Sequence, residues 1–208
     1  FERTGFSSRL DQHMLQEVGR LLYNWRKQGL KPIPVSVNLS RRTLYEESYI
    51  RTLEWVKENY QIDDGEITLE ILESMAFGNL IKANELLEKV KNMGYLISMD
   101  DFGSGYSSLN VLAKLKIDEL KIDQAFLRGI TADSREKLIL ETIVRLAKDL
   151  NIPTVVEGVE TVAHEDLVRS LGCDCAQGFL YSKPVASKDF TDQFMKKGGC
   201  QYKFQISK

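Results

Sequence analysis

Apolar and polar positions along this chain switch between two periods. Six short runs, VSVNLS, EITLEIL, YLISMDD, DELKID, TVVEGVE and CAQGFLY, are strand-like, and longer stretches between them space their apolar residues as helices do. The spacing predicts a first helix over about Ser8 to Gln28, with Leu10, Met14, Leu15, Val18, Leu21, Leu22 and Trp25 as its apolar stripe. Ser8 and Asp11 read as its N-cap pair and Gly29 as its stop. Pro32 and Pro34 break the chain ahead of the first strand. Further helices are expected over about Arg41 to Tyr60, Asn79 to Met93, Leu109 to Leu115, Ser134 to Leu150 and Thr161 to Leu171. Gly94 supplies the left-handed stop of the third helix. Leu138, Ile143, Val144, Ala147 and Leu150 form the apolar positions of the long one, and the tail beyond Ser187 reads as a closing helix and an edge strand.

A strand-helix repeat without linker or composition shift predicts one α/β domain over residues 1–208, a TIM-like (β/α) barrel. A closed barrel of this kind takes eight strands. Six are visible and the chain starts on a helix, so the first strands are expected before Phe1.

Composition trims this picture without redirecting it. The 208 residues are 43% hydrophobic and 28% charged, as in ordinary globular proteins. No run of 18 apolar residues offers a membrane span, and FERTGFSSRL has no signal-peptide layout. The start at Phe1 reads as a cut inside a longer protein. A net charge of −2 with scattered Lys and Arg argues against polymeric nucleic acid as a partner. Cys173, Cys175 and Cys200 are too few and too unevenly spaced for a zinc site or a disulfide framework, which suits reduced thiols and a cytoplasmic domain. His13 and His164 stand away from every candidate site residue.

Chemistry enters at the ends of the strands. In order, the runs carry Asn38, Glu70, the pair Asp100 and Asp101, Lys121, Glu157 and Gln177. Strand alternation aligns Ser36 with Asn38, Thr68 with Glu70, and Ser98 with Asp100, so small hydroxyls lie beneath larger polar tips. Asn38, Glu70 and Asp100 can then converge on one cation, and oxygen-only ligands select Mg²⁺, Mn²⁺ or Ca²⁺ over zinc. Adjacent Asp100 and Asp101 suit two metals, with Glu157 serving the second. Lys121 is the rim's fixed positive charge, placed to hold a phosphate oxygen or orient the attacking water, and Gln177 adds a neutral hydrogen-bonding group. A single acid at a strand end is ordinarily a solvated loop residue; six matching strand ends make a rim. Asp101-Phe102-Gly103 also spells a kinase motif, but the chain lacks the accompanying HRD and VAIK segments. Gly103 and Gly105 lack dinucleotide-fingerprint spacing, and instead let DFGSGYSS bend over the rim as a switch loop or a plain connection.

PVSVNLS, ITLEILES, ISMDDFGSGYSSL, LKIDELKIDQAF, VVEGVET and LGCDCAQGFLYSKP, in this order, resemble the EAL domain family of bacterial cyclic di-GMP phosphodiesterases. The resemblance spans about Phe1 to Pro184. It implies hydrolysis of cyclic di-GMP to linear pGpG with two divalent cations, Mg²⁺ or Mn²⁺, and inhibition by Ca²⁺. It implies Asn38, Glu70, Asp100, Asp101 and Glu157 as metal ligands, and Lys121, Glu157 and Glu73 as catalytic residues. Lys121, Gln177 and Pro184 fall at substrate-binding positions, while Glu73 props the DFGSGYSS loop with Gly103 and Gly105, and Glu160 is a supporting acid. The glutamate of the family's name motif, a further ligand, is expected upstream of Phe1. A homodimer and upstream sensor or cyclase domains are further implications, as is a membrane anchor in such an upstream region. The alternative reading is a catalytically silent cyclic di-GMP receptor. A third, an enolase-type lyase, predicts no nucleotide binding.

Overall fold

The computed structural model describes residues 6–73, 80–103, 109–130 and 134–196. Helix α1 (Phe6–Lys27) precedes strand β1 (Val35–Leu39), followed by α2 (Arg41–Leu44), α3 (Glu47–Tyr60) and β2 (Ile67–Leu72). Next come α4 (Leu80–Asn92), β3 (Leu96–Phe102), α5 (Leu109–Lys114), β4 (Glu119–Ile122) and a 3₁₀ turn (Gln124–Phe126). The chain continues through α6 (Arg135–Asp149), β5 (Thr154–Val156), α7 (Val162–Ser170), β6 (Cys175–Ala176), α8 (Ser187–Phe190) and a π-helical turn (Thr191–Met195). All six strands pair in parallel in the order β1-β2-β3-β4-β5-β6. Each strand neighbours the next through a helical crossover, as parallel pairing requires.

The period of two sorts the sheet's faces. Leu69, Ile97, Met99, Leu120, Ile122 and Val156 are fully buried in the main apolar cluster. The alternate positions, Ser36 and Asn38, Thr68 and Glu70, Ser98 and Asp100, Glu119 and Lys121, form the polar face. Short side chains hold neighbouring strands at fixed heights near their entry ends. Asp118 accepts from the Ile97 amide at 2.9 Å, and Asp174 from the Thr154 amide at 2.8 Å.

Several details depart from the sequence expectation. Helix α1 starts at Phe6, so Ser8 and Asp11 lie inside it and do not cap it. Their side chains reach across instead: Ser8 Oγ donates to Glu46, while Asp11 Oδ2 accepts from Ser40 N at 3.0 Å and Ser40 Oγ at 2.6 Å. The single helix expected over Arg41 to Tyr60 is two, because Glu46 is extended (φ −92°, ψ 123°) and α3 starts afresh behind it. The apolar stripes are narrower than the spacing suggested. Leu10 and Met14 of α1 are exposed, as are Leu138 of α6 and Leu150 just beyond it, whereas Leu140 is fully buried. Gly105, Cys200 and the expected tail edge strand lie outside the described residues. Among the described residues no helix is long and apolar enough to cross a membrane.

Candidate active site

Lys121 is the centre of the polar face. The side chain is almost wholly buried, with Nζ 3.1 Å from Glu70 Oε1, 2.8 Å from Asp100 Oδ1 and 2.7 Å from Glu157 Oε1. Four strands therefore meet at one ammonium: β2 through Glu70, β3 through Asp100, β4 through Lys121 itself, and the exit of β5 through Glu157. Burial works to lower the Lys121 pKa, but its close pairing with Asp100 and Glu157 and the nearby charge of Glu70 outweigh it. The ammonium is held well above its ordinary value, and Lys121 stays charged.

Asp101 joins the same group by breaking the strand's alternation. An ordinary strand would send consecutive side chains to opposite faces. Here the β3–β4 register shifts between Met99 and Phe102, and Asp101 takes a left-handed backbone with φ +54°. Asp100, Asp101 and Glu157 consequently offer carboxylate oxygens within 4.8 Å of one another. Burial pushes the Asp101 carboxyl up first, the charges of Asp100 and Asp123 push it further, and Lys121 pulls it down. Burial likewise raises Glu157, against the opposing pull of Lys121.

These residues fit oxygen-seeking divalent cations. Among the described residues, Asp100 Oδ1 is fully buried with no aligned hydrogen-bond donor and stands 2.8 Å from the Lys121 ammonium. Such an atom retains lone pairs for a cation, and a clustered set of carboxylate oxygens is the donor type that hard ions select.

The remaining expected residues lie at different distances from this centre. Asn38 is the register partner of Glu70, so it stands beside Glu70 at the end of the neighbouring strand. Its height is fixed by the two hydrogen bonds from Ser40 to buried Asp11. Gln177 is set by backbone bonds, its amide donating to Val156 O at 2.8 Å and its carbonyl accepting from Val159 N at 3.0 Å. Gln177 and Pro184 line a cavity of about 930 Å³ together with Glu70, Lys121, Phe179 and Tyr181. Glu73 is buried at the exit of β2. The loop that Glu73 was expected to prop, residues 104–108, lies outside the described residues. Gly103 has φ +97°, and a Cβ there would fall 2.1 Å from the Phe126 ring, so the backbone at that point is pressed against the 3₁₀ turn. Glu160 is exposed, apart from the carboxylate group, and its amide donates to His164 Nδ1 at 3.4 Å. Cys173 and Cys175 are free, and burial pushes the Cys173 thiol up to about 11, which disfavours its thiolate at neutral pH.

Two acids went unnoticed in the sequence. Asp123 caps the 3₁₀ turn by accepting from Ala125 N at 2.7 Å, and its charge helps push the Asp101 carboxyl up. Its signal was available, since it ends the run DELKID two positions after Lys121 and shares that residue's strand parity. Glu119, two positions before Lys121, accepts from Ser98 Oγ at 2.8 Å and lines the cavity; burial pushes its carboxyl up.

Comparison with known proteins places this chain among relatives. The family model described as EAL domain matches residues 1–184. The bifunctional diguanylate cyclase/cyclic di-GMP phosphodiesterase MucR of Pseudomonas aeruginosa is 34% identical over 187 residues, covering 90% of this chain and 27% of that protein. The chain thus spans about a quarter of the length of that relative. The solved structure of the PaMucR phosphodiesterase in its c-di-GMP complex superposes with a TM-score of 0.84 at 33% identity, covering 91% of this chain and 76% of that one. The Klebsiella pneumoniae BlrP1 manganese/cy-diGMP complex has a TM-score of 0.77 at 26% identity, covering 86% of this chain and 45% of that one.

Proposed function

The chain belongs to the EAL domain family, and from that premise we propose that it hydrolyses one phosphodiester bond of cyclic di-GMP to give linear pGpG, using Mg²⁺ or Mn²⁺. The observation that carries the reading is the convergence of Glu70, Asp100 and Glu157 on buried Lys121, with Asp101 turned into the same group. Similarity to the c-di-GMP complex of the PaMucR phosphodiesterase supports the substrate, and the manganese complex of BlrP1 supports the cofactor class.

Asn38, Glu70, Asp100, Asp101 and Glu157 are the residues that would hold the cations. Bound divalent ions supply charge neutralisation on the phosphate and make water a better nucleophile at neutral pH. The protein's own part begins with Lys121, which keeps its proton and presents a fixed positive charge to a phosphate oxygen. Glu157, whose carboxyl is raised by burial against the opposing pull of Lys121, is suited to accept the proton of the attacking water. Water oxygen then bonds to phosphorus as the bond to the opposite sugar oxygen breaks; that oxygen takes a proton from solvent water, and Glu157 returns its proton to solvent. Gln177 and Pro184, on the cavity wall, contact the nucleotide without adding charge. Glu73 supports the loop at residues 104–108, and Glu160 acts from outside the first group. A second copy and upstream sensor or cyclase domains complete the proposed partners, in line with the short share of MucR that the chain spans.

The test is incubation with cyclic di-GMP and chromatography of the products. Product pGpG is expected with Mn²⁺ or Mg²⁺ but not with Ca²⁺, whose looser coordination suits the site poorly. Glu70→Ala and Asp100→Ala should each lower turnover by roughly a hundredfold or more. Wild-type rates in either variant would remove the metal assignment, and binding without pGpG would leave a receptor instead.

A further inference from the structure

The polar face carries four carboxylates within reach of a single ammonium, and an ammonium has three donor hydrogens. Lys121 Nζ pairs with oxygens of Glu70, Asp100 and Glu157, at 3.1, 2.8 and 2.7 Å. The fourth acid, Glu119, sits two positions earlier on the same strand, on the same face, lining the same cavity. Residues i and i+2 of a strand lie about 6.5–7 Å apart with side chains parallel, so a Glu–Lys pair at that spacing can close readily. It does not close here. Ser98, fully buried and the direct register partner of Glu119 on β3, donates its hydroxyl to Glu119 Oε1 at 2.8 Å.

We propose that Ser98 is a positioning residue that withholds Glu119 from Lys121, so that the ammonium faces the rim carboxylates and not the floor of the cavity. A half-buried carboxylate deprived of its donor takes the strongest partner within reach, and an ammonium outranks water in a recessed site. Without the Ser98 hydroxyl, Glu119 competes for the Lys121 ammonium. Either Asp100 or Glu157 then loses its contact, and the ammonium sinks away from the position where it meets a phosphate oxygen. Ser98 is not among the residues lining the cavity; it acts through Glu119.

The kinetic part of the test rests on the phosphodiesterase reading above, and the crystallographic part does not. Ser98→Ala should lower kcat on cyclic di-GMP by about tenfold with KM within twofold, because orientation of a charged group is lost and not the substrate pocket. The double variant Ser98→Ala/Glu119→Gln should recover to within about twofold of wild type, since a neutral amide competes weakly for the ammonium. A role confined to packing between β3 and β4 would show no such recovery. A crystal structure of the metal-free Ser98→Ala protein should place Lys121 Nζ within about 4 Å of Glu119 and withdrawn from Asp100 or Glu157. Should Lys121 keep its three wild-type contacts in that structure, or the double variant remain as slow as the single, the proposal is overturned. A wild-type protein that yields no pGpG, with Lys121 nonetheless turned to Glu119 in the variant, would fault the phosphodiesterase reading and leave the role of Ser98 standing.

Discussion

Lys121 shows how one residue can hold a charged site together before any cation arrives. Three buried or half-buried carboxylates share its ammonium, so removing that charge leaves them facing one another without compensation. Breaking such a buried group by deleting one partner costs about 3–5 kcal/mol. Lys121→Met should therefore melt well below wild type without metal, and saturating Mn²⁺ should raise its melting temperature by more than it raises wild type's. Calorimetry with and without Mn²⁺ measures this; equal metal-induced shifts in the two proteins would show that Lys121 does not stand in for a cation. The residues forming this centre were readable because each ends a strand-like run. Asp123 was harder to single out because DELKID carries four charged residues, of which Lys121 alone is positive, although parity aligns Asp123 with Lys121.

At the scale of the element, the end of β5 and the end of β6 are clamped through Gly178. A Cβ on that residue would stand 2.1 Å from Val159 O and 2.4 Å from Val159 N, positions that backbone atoms cannot vacate cheaply. Flanking bonds from Val159 N to Gln177 O and from Leu180 N to Val159 O, both 3.0 Å, hold the same crossing. Gly178→Ala should cost about 1–3 kcal/mol and displace Gln177, raising KM for cyclic di-GMP more than it lowers kcat. Thermal melts and steady-state kinetics check both; an unchanged KM would free Gln177 from its assigned contact. Element existence was legible because period two and period 3.6 leave different marks on sequence. Local breaks were not. The interruption at Glu46, which accepts from Ser8 across the fold, and the register shift after Met99 leave no periodic trace. The same holds for Leu138 and Leu150, whose apolar character says nothing about which side of α6 meets the sheet.

Across the whole molecule, residues far apart in sequence close the structure around the sheet. Trp25 of α1 is buried, donates its indole N–H to Thr191 Oγ1 at 2.8 Å, and stacks on Phe190 with ring centroids 6.2 Å apart. A tie across 166 positions joins the first helix to the last described turn. Trp25→Ala should lower unfolding free energy by about 3–5 kcal/mol in a single cooperative transition, measured by urea denaturation. A loss below about 1 kcal/mol would mean the two ends fold independently.

The left-handed Asp101 has a consequence for anyone who engineers this protein. Glycine tolerates that backbone better, so Asp101→Gly should gain about 0.5–1 kcal/mol in the cation-free protein while deleting a ligand. A library screened for heat tolerance alone would therefore enrich the variant that has stopped working, and differential scanning of Asp101→Gly beside its turnover would reveal the trade-off.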